Sequence, residues 1–323
     1  MKPAEIVEMP VKPQDHEAYK RLIAATEGLP VARTIVAHPC DAPSLEGVFE
    51  ARDAKIIEPV LVGPRARIEA AAAAIERSLD GIEIVDTEHS HASAERAVAL
   101  IREGAGAFLM KGSLHSDEIL GAVADREKGL RTERRISHVF AMAVPTYDQP
   151  LFITDAAVNI FPDLNVKRDI VQNVIDLALA LNQDPKVAIL SAVETVTTKI
   201  PSTIDAAALC KMAERGQITG GKLDGPLAFD NAISPEAAKI KGIVSPVAGQ
   251  ANILVVPDLE AGNMLAKNLT FLGNADAAGI VLGARVPLVL TSRADTPRAR
   301  MASCAVAALF ADYQLKHKPG AGS

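Results

Sequence analysis

Residues 31–63 read VARTIVAHPCDAPSLEGVFEARDAKIIEPVLVG, and the order of properties along them decides the fold. Residues 31–37 form a short apolar run with several β-branched side chains, closed by His38-Pro39-Cys40-Asp41. Residues 43–54 have the length and composition of one helix, and residues 58–63 return to a short apolar run. Strand, helix and strand in that order predict a βαβ unit, whose strands lie parallel because a crossover helix joins them. The apolar residues of both runs fall on both faces, as expected of strands that helices cover on each side.

The alternation continues outward from that unit. Helices are predicted over 64–77, 93–103 and 116–125, with strands at 82–85 and 107–110. Further strands fall at 151–158, 186–191, 253–256, 278–282 and 286–291, and further helices at 166–181, 203–215, 261–272 and 297–314. Before all of these, residues 1–17 are polar and Pro-containing and read as a loose arm, followed by a helix through Ala25. The fold class is therefore α/β, with mainly parallel sheets and helices on both faces. Tyr147-Asp148-Gln149-Pro150 is turn-like and marks a boundary. The expected organisation is a first domain of residues 1–147 plus 296–323, with the last helix packing back, and a second domain of residues 148–295.

Composition narrows the function. A chain of 323 residues exceeds the size at which a single core stops growing, about 250–300 residues. Aromatics are 3% with no Trp, so the core must be built from Ala, Val, Ile and Leu. A formal net charge of -6 without any basic run argues against a nucleic-acid partner. Cys40, Cys210 and Cys304 are far apart and show no metal-ligand spacing, so no metal is expected, and a sparse odd count suits a reducing cytoplasm. No leader-like segment and no stretch of about 18 apolar residues is present, so no membrane span is expected. The GxGxxG, Walker and GxSxG motifs are also absent.

In open α/β sheets ligands sit beyond the carboxyl ends of strands, so the polar residues that follow apolar runs are the candidates. They are His38 and Asp41, Lys111-Gly112-Ser113, Thr154 and Asp155, Ser191, Asp258 and Glu260, and Ser292-Arg293. The last pair is the most informative. The run 286–291 passes directly into Ser292-Arg293-Ala294-Asp295-Thr296-Pro297, where Asp295 or Thr296 can cap the next helix and Pro297 fits its first turn. A helix N-terminus beside an Arg suits a phosphate. On spacing alone the same stretch also reads as an ordinary strand-to-helix turn with a solvated Arg. Lys111 and Gly112 offer a charge and a close backbone approach, Asp258 and Glu260 equally suit a helix cap, and His38, His115 and His138 stand near strand ends as bases or as structural rings.

Several stretches, in order and spacing, resemble the phosphate acetyltransferase and phosphate butyryltransferase family. They are LMKG at 109–112, GLRT at 129–132 with SHV at 137–139, ITDAAVN at 153–159, DGPLAFDNAI at 224–233, NILVVPDLEAGN at 252–263 and SR at 292–293. The likeness spans about residues 31–308. It implies a two-domain fold similar to that of the isocitrate and isopropylmalate dehydrogenases, with the active site in the interdomain cleft and a homodimeric assembly. The implied reaction moves an acetyl or other short acyl group reversibly between coenzyme A and inorganic phosphate in a ternary complex. Acyl-CoA, acyl phosphate and phosphate are then the partners, and coenzyme A is a substrate, with no cofactor. By the same resemblance Ser292 stabilises the transition state, and Asp295, which lies close by in the sequence, is taken as the catalytic carboxylate. Contacts to phosphate or coenzyme A fall to Arg293, Lys111, Gly112, Arg131, Thr132, His138, Ser191 and Asn263. One position departs from the pattern: acetyl-type members place an Asp six residues after the Arg, and in this sequence that position is Ala299. Asp295, His138 or the phosphate itself remain as proton acceptors. The Arg131-Thr132 and His138 segments look more like the butyryl type. A related dehydrogenase would need metal-binding carboxylates and a dinucleotide site that cannot be assembled from these residues. A non-catalytic binding module would not need the Ser292-Arg293 pair.

Overall fold

The computed structural model describes residues 16–291 and 295–317. The first unit forms as predicted: β1 (Ala32–Ala37), α2 (Ala42–Asp53) and β2 (Ile57–Gly63) follow the short helix α1 (Glu17–Ala24). Then come α3 (Arg65–Ala74), β3 (Glu83–Asp86), α4 (Ser90–Arg102), β4 (Phe108–Lys111) and α5 (Ser116–Ala124). The rest of the chain gives β5 (Ser137–Ala143), β6 (Leu151–Thr154), α6 (Leu164–Ala180), β7 (Lys186–Leu190), α7 (Pro201–Glu214), β8 (Lys222–Leu227), α8 (Phe229–Ile233) and α9 (Pro235–Ile240). It ends with β9 (Ile253–Val255), α10 (Leu259–Phe271), β10 (Asp276–Leu282), β11 (Leu288–Val289) and α11 (Pro297–His317). Asp residues start three of the helices. Asp41, Asp163 and Asp258 each accept the backbone N–H three residues on, at 2.9 Å, at α2, α6 and α10. Asp258 is thus spent as a cap.

The strands join one sheet in the order β3-β2-β1-β4-β11-β10-β5-β6-β9-β7-β8. Strands β3, β2, β1, β4 and β11 are parallel to one another, and so are β6, β9, β7 and β8. Between the two sets, β10 is antiparallel to β11 and β5, and β5 is antiparallel to β6. Following the directions across, β6, β9, β7 and β8 run opposite to β1 and β4. The carboxyl ends of the two parallel sets therefore lie on opposite edges of the sheet.

On one face the core is continuous. Val36, Met110, Val139, Ile280 and Val255 pack with α2, α11 and α6 in a single cluster. On the other face it is split, with Ile35, Leu109 and Leu288 under α4 and α5, and Met142, Ile153 and Leu254 in a separate cluster. Burying each large side chain such as Phe49, Phe108 or Phe152 contributes about 1.5–3 kcal/mol. Among the described residues no helix is long and apolar enough to cross a membrane.

Three differences from the sequence reading have local causes. The strand expected over 151–158 stops at Thr154, because the Asp155 carboxylate gathers the N–H groups of Ala157, Val158 and Asn159 and turns the chain. Strand β5 is not among the runs expected from sequence, because it opens with the polar pair Ser137-His138. Strand β8 carries Lys222, Asp224 and Pro226, a composition tolerated because it forms the sheet edge.

Candidate active site

The chain leaves β1 and β4, which are neighbours, towards opposite faces. Helix α2 sends Leu45, Val48 and Phe49 into the continuous core, whereas α5 sends Ile119 and Val123 into the split face. Diverging connections open a crevice at the carboxyl ends of adjacent strands, the usual ligand position in such sheets. A pocket of about 180 Å³ lies there, lined by Asp41, Ser44, Lys111, Gly112, Thr291 and Arg300 together with Pro43 and Met110.

Each group is held by local chemistry. The Gly112 N–H donates to the Ala37 carbonyl at 2.8 Å, and a Cβ at Gly112 would lie 2.6 Å from the His38 carbonyl oxygen, so the β4 loop presses on β1 as only glycine permits. His38 has φ 56 and turns its carbonyl to accept from Cys40 N at 2.9 Å, Ser113 N at 2.9 Å and Ser113 Oγ at 2.8 Å. Lys111 is buried, and its Nζ donates to the Thr291 carbonyl at 3.2 Å and to the Gly112 carbonyl at 3.4 Å. Arg300 is also buried, and its Nη1 donates to the Pro43 carbonyl in the first turn of α2. Lys111, Arg300 and the positive end of α2 bring positive charge to this pocket, and the Asp41 carboxylate offsets part of it.

Thr291 brings β11 to the pocket, and the next residues are Ser292, Arg293 and Ala294, which lie outside the described residues. Asp295 resumes the chain, partly buried. Thr296 caps α11 through a bond from Ala299 N to Thr296 Oγ1 at 3.2 Å. Of the residues read from sequence, the pocket brings together Lys111, Gly112 and Asp41, and Thr291, the residue before Ser292 in the sequence, lines it.

The others sit elsewhere. Arg131 and Thr132 are exposed in the loop before β5, where Thr132 Oγ1 donates to the Gly283 carbonyl at 2.7 Å. Ser191 follows β7 with its hydroxyl 2.8 Å from that of Ser202, and Asn263 Nδ2 on α10 donates to the Ala156 carbonyl at 3.1 Å. Ser191 and Asn263 lie at the edge where β6, β9 and β7 end, opposite Lys111. His138 lies in β5, edge-on to Phe140 with ring centroids 4.4 Å apart, and its Nδ1 has no hydrogen-bond partner among the described residues. Burial pushes its pKa down to about 3, so it is an uncharged ring at neutral pH and poorly poised as a general base. Burial pushes the thiols up, Cys40 to about 11 and Cys304 to about 12, which leaves no thiolate nucleophile at these positions.

Sequence reasoning missed Arg300. A signal was available: α11 has no acidic residue in its first turn, while Arg298 and Arg300 stand near its positive end, against the helix dipole.

With this geometry in place, residues 92–308 match the family described as phosphate acetyl/butaryl transferase. The phosphate acetyltransferase of Rhizobium meliloti is 68% identical over 300 residues, covering 93% of this chain and 95% of that protein. The chain belongs to the phosphate acetyl/butyryl transferase family. The phosphate butyryltransferase of Clostridium acetobutylicum is 40% identical over 296 residues, covering 91% of this chain and 98% of that protein. Among solved structures, a phosphotransacetylase from Streptococcus pyogenes superposes with a TM-score of 0.80 at 22% identity, over 93% of this chain and 99% of that one. The fold extends to a 4-hydroxythreonine-4-phosphate dehydrogenase from Klebsiella pneumoniae, with a TM-score of 0.51 at 12% identity over 87% and 99% of the two chains. The dehydrogenase-like α/β architecture read from sequence is therefore the one observed.

Proposed function

We propose that the protein transfers an acyl group, acetyl in preference to butyryl, between coenzyme A and inorganic phosphate, with both substrates bound together. The observation that carries this reading is the pocket, where Lys111, Arg300 and the start of α2 converge beside the strand end that leads into Ser292-Arg293. To make acyl phosphate, a phosphate oxygen attacks the thioester carbonyl, the C–S bond breaks and the phosphate proton passes to the departing thiolate. In reverse, the thiol loses its proton as sulfur attacks the acyl phosphate, and the C–O bond to phosphate breaks. Both directions balance without an oxidant or a nucleotide, so coenzyme A is a substrate.

The developing oxyanion needs a positioned donor, a role that falls to the Ser292 hydroxyl. Arg293 grips the phosphoryl oxygens in bidentate fashion, and Lys111 adds a point charge. Asp295 takes the thiol proton. Holding both substrates side by side supplies much of the rate. The acetyl preference rests on the 68% likeness to an acetyltransferase, set against 40% to a butyryltransferase.

We also assign the protein to the cytoplasm, which its three free thiols suit, and to a homodimer. Met264, Phe271 and Leu272 at α10 are 65%, 75% and 81% exposed and offer apolar surface for that contact. The test is release of coenzyme A from acetyl-CoA and butyryl-CoA, with and without phosphate, followed with a thiol reagent. Phosphate-dependent release with acetyl-CoA faster is expected. No release from folded protein would sink the reading, and faster release from butyryl-CoA would reverse the acyl preference.

A further inference from the structure

We infer that Arg300 is a guanidinium of the phosphate site, gripping the transferred phosphate together with Lys111; this rests on the phosphate-acyltransferase reading above. Three observations converge on it. Arg300 is 5% exposed and lines the same pocket as Lys111. It stands one turn into α11, where the helix dipole opposes a positive charge, and it faces the N-terminus of α2, which opposes it again. An oxyanion in the pocket complements both helix ends and both cations at once.

The third observation is the room made for its stem. A Cβ on Gly47, in the middle of α2, would lie 2.8 Å from Arg300 Cδ and 3.2 Å from its Cβ. Helix α2 therefore does without a side chain at an interior position, where glycine is unfavourable relative to alanine, and the Arg300 side chain passes through that gap to the pocket. The bond from Nη1 to the Pro43 carbonyl fixes the plane of the fork. A guanidinium is a planar fork of N–H donors, a shape that matches the oxygens of a phosphate.

The test is steady-state kinetics of acetyl phosphate formation by Arg300→Gln and Arg300→Lys, with phosphate and acetyl-CoA varied in turn. Losing charge-assisted bonds to phosphate raises KM for phosphate about 10- to 100-fold in Arg300→Gln, while KM for acetyl-CoA stays within about threefold. Arg300→Lys recovers part of the loss. A strut that only joins α2 to α11 would instead change both KM values alike, or neither, and that result overturns the inference.

Should Arg300→Gln fail to fold, Gly47→Ala keeps every charge and pushes the Arg300 stem aside. It is expected to raise KM for phosphate alone, and an unchanged KM there overturns the inference equally. If the wild-type protein shows no phosphate-dependent release at all, the functional reading fails first. If wild type is active and both variants keep its phosphate KM, only the role of Arg300 fails.

Discussion

Gly112→Ala tests how the site is held. The new Cβ would sit 2.6 Å from the His38 carbonyl oxygen and 2.7 Å from both the Ala37 oxygen and the His38 carbonyl carbon. All three are backbone atoms, so no rotamer change relieves the clash. Restoring ordinary contact near 3.4 Å requires the β4 loop to move about 0.8 Å away from β1. That movement stretches the bond from Gly112 N to Ala37 O, now 2.8 Å, and the bond from Ser113 N to His38 O, now 2.9 Å. Overpacking of this kind costs about 1–3 kcal/mol, and each weakened bond adds about 1 kcal/mol or less. At roughly 2–4 °C per kcal/mol for a chain of this size, the midpoint of thermal unfolding falls by about 5–15 °C.

The same movement carries Lys111 off its position over Thr291. A misplacement near 1 Å costs about 100-fold in rate, so kcat/KM for phosphate falls by about 30- to 100-fold at temperatures where the variant is folded. Thermal unfolding and the phosphate kinetics are measured on one preparation. A variant with wild-type unfolding and kcat/KM within about twofold of wild type refutes the packing argument. A lowered midpoint with unchanged kcat/KM shows that this contact does not position Lys111 for the reaction.

Three further outcomes are expected. Arg293→Ala loses most activity through weaker phosphate binding, and Ser292→Ala lowers kcat more than it raises KM; wild-type rates in both would remove these residues from the reaction centre. His138 has a folded pKa pushed down to about 3 against about 6.5 unfolded, so its contribution is present above pH 6.5 and is lost as pH falls towards 3. From pH 6.5 to 5 wild type then loses about 2 kcal/mol that His138→Leu retains, measured by denaturant unfolding at each pH; parallel curves for the two proteins contradict the burial. Inorganic phosphate at about 100 times its dissociation constant should stabilise the fold by about 2.7 kcal/mol, read as a thermal shift, and this gain should shrink in Arg300→Gln.

How much is legible in sequence depends on whether a feature is local. Buried parallel strands are short apolar runs, so β1, β2, β4, β7 and β9 stand out, as does the long helix α6. Lys111-Gly112 and Ser292-Arg293 are visible because a polar pair directly follows such a run. Arg300 is not, because its meaning depends on Gly47 and Pro43, far away in the chain and adjacent only across α2 and α11. The separation of candidate residues between two edges is also hidden, although its cause is local. The link between β5 and β6, around Tyr147-Asp148-Gln149-Pro150, is too short for a parallel crossover, so the chain must reverse there. Every parallel strand from β6 to β9 then delivers its carboxyl end, and with it Asp155, Ser191 and Asn263, to the edge opposite Lys111.

That reversal bears on how the substrates lie. Phosphate is small and fully charged, and the switch point between β1 and β4 offers it a pocket of matching scale with buried Lys111 and Arg300. Coenzyme A is long, and no pocket of about 180 Å³ encloses it. On the face that carries Lys111 and Leu290, the core is divided between the cluster under α4 and α5 and the cluster with Ile153 and Leu254. The division runs over β10 and β5, where the Leu290 carbonyl and the His138 ring close over Gly279 and Phe140 is only partly buried. Coenzyme A is therefore expected to extend out of the pocket, with Arg131 and Asn263, which stand apart from Lys111, as its contacts. Substitutions in the pocket and outside it should then separate kinetically. Changes at Lys111 and Arg300 act on phosphate, changes at Arg131 and Asn263 act on coenzyme A, and a variant at Arg131 or Asn263 that altered only phosphate binding would contradict this arrangement.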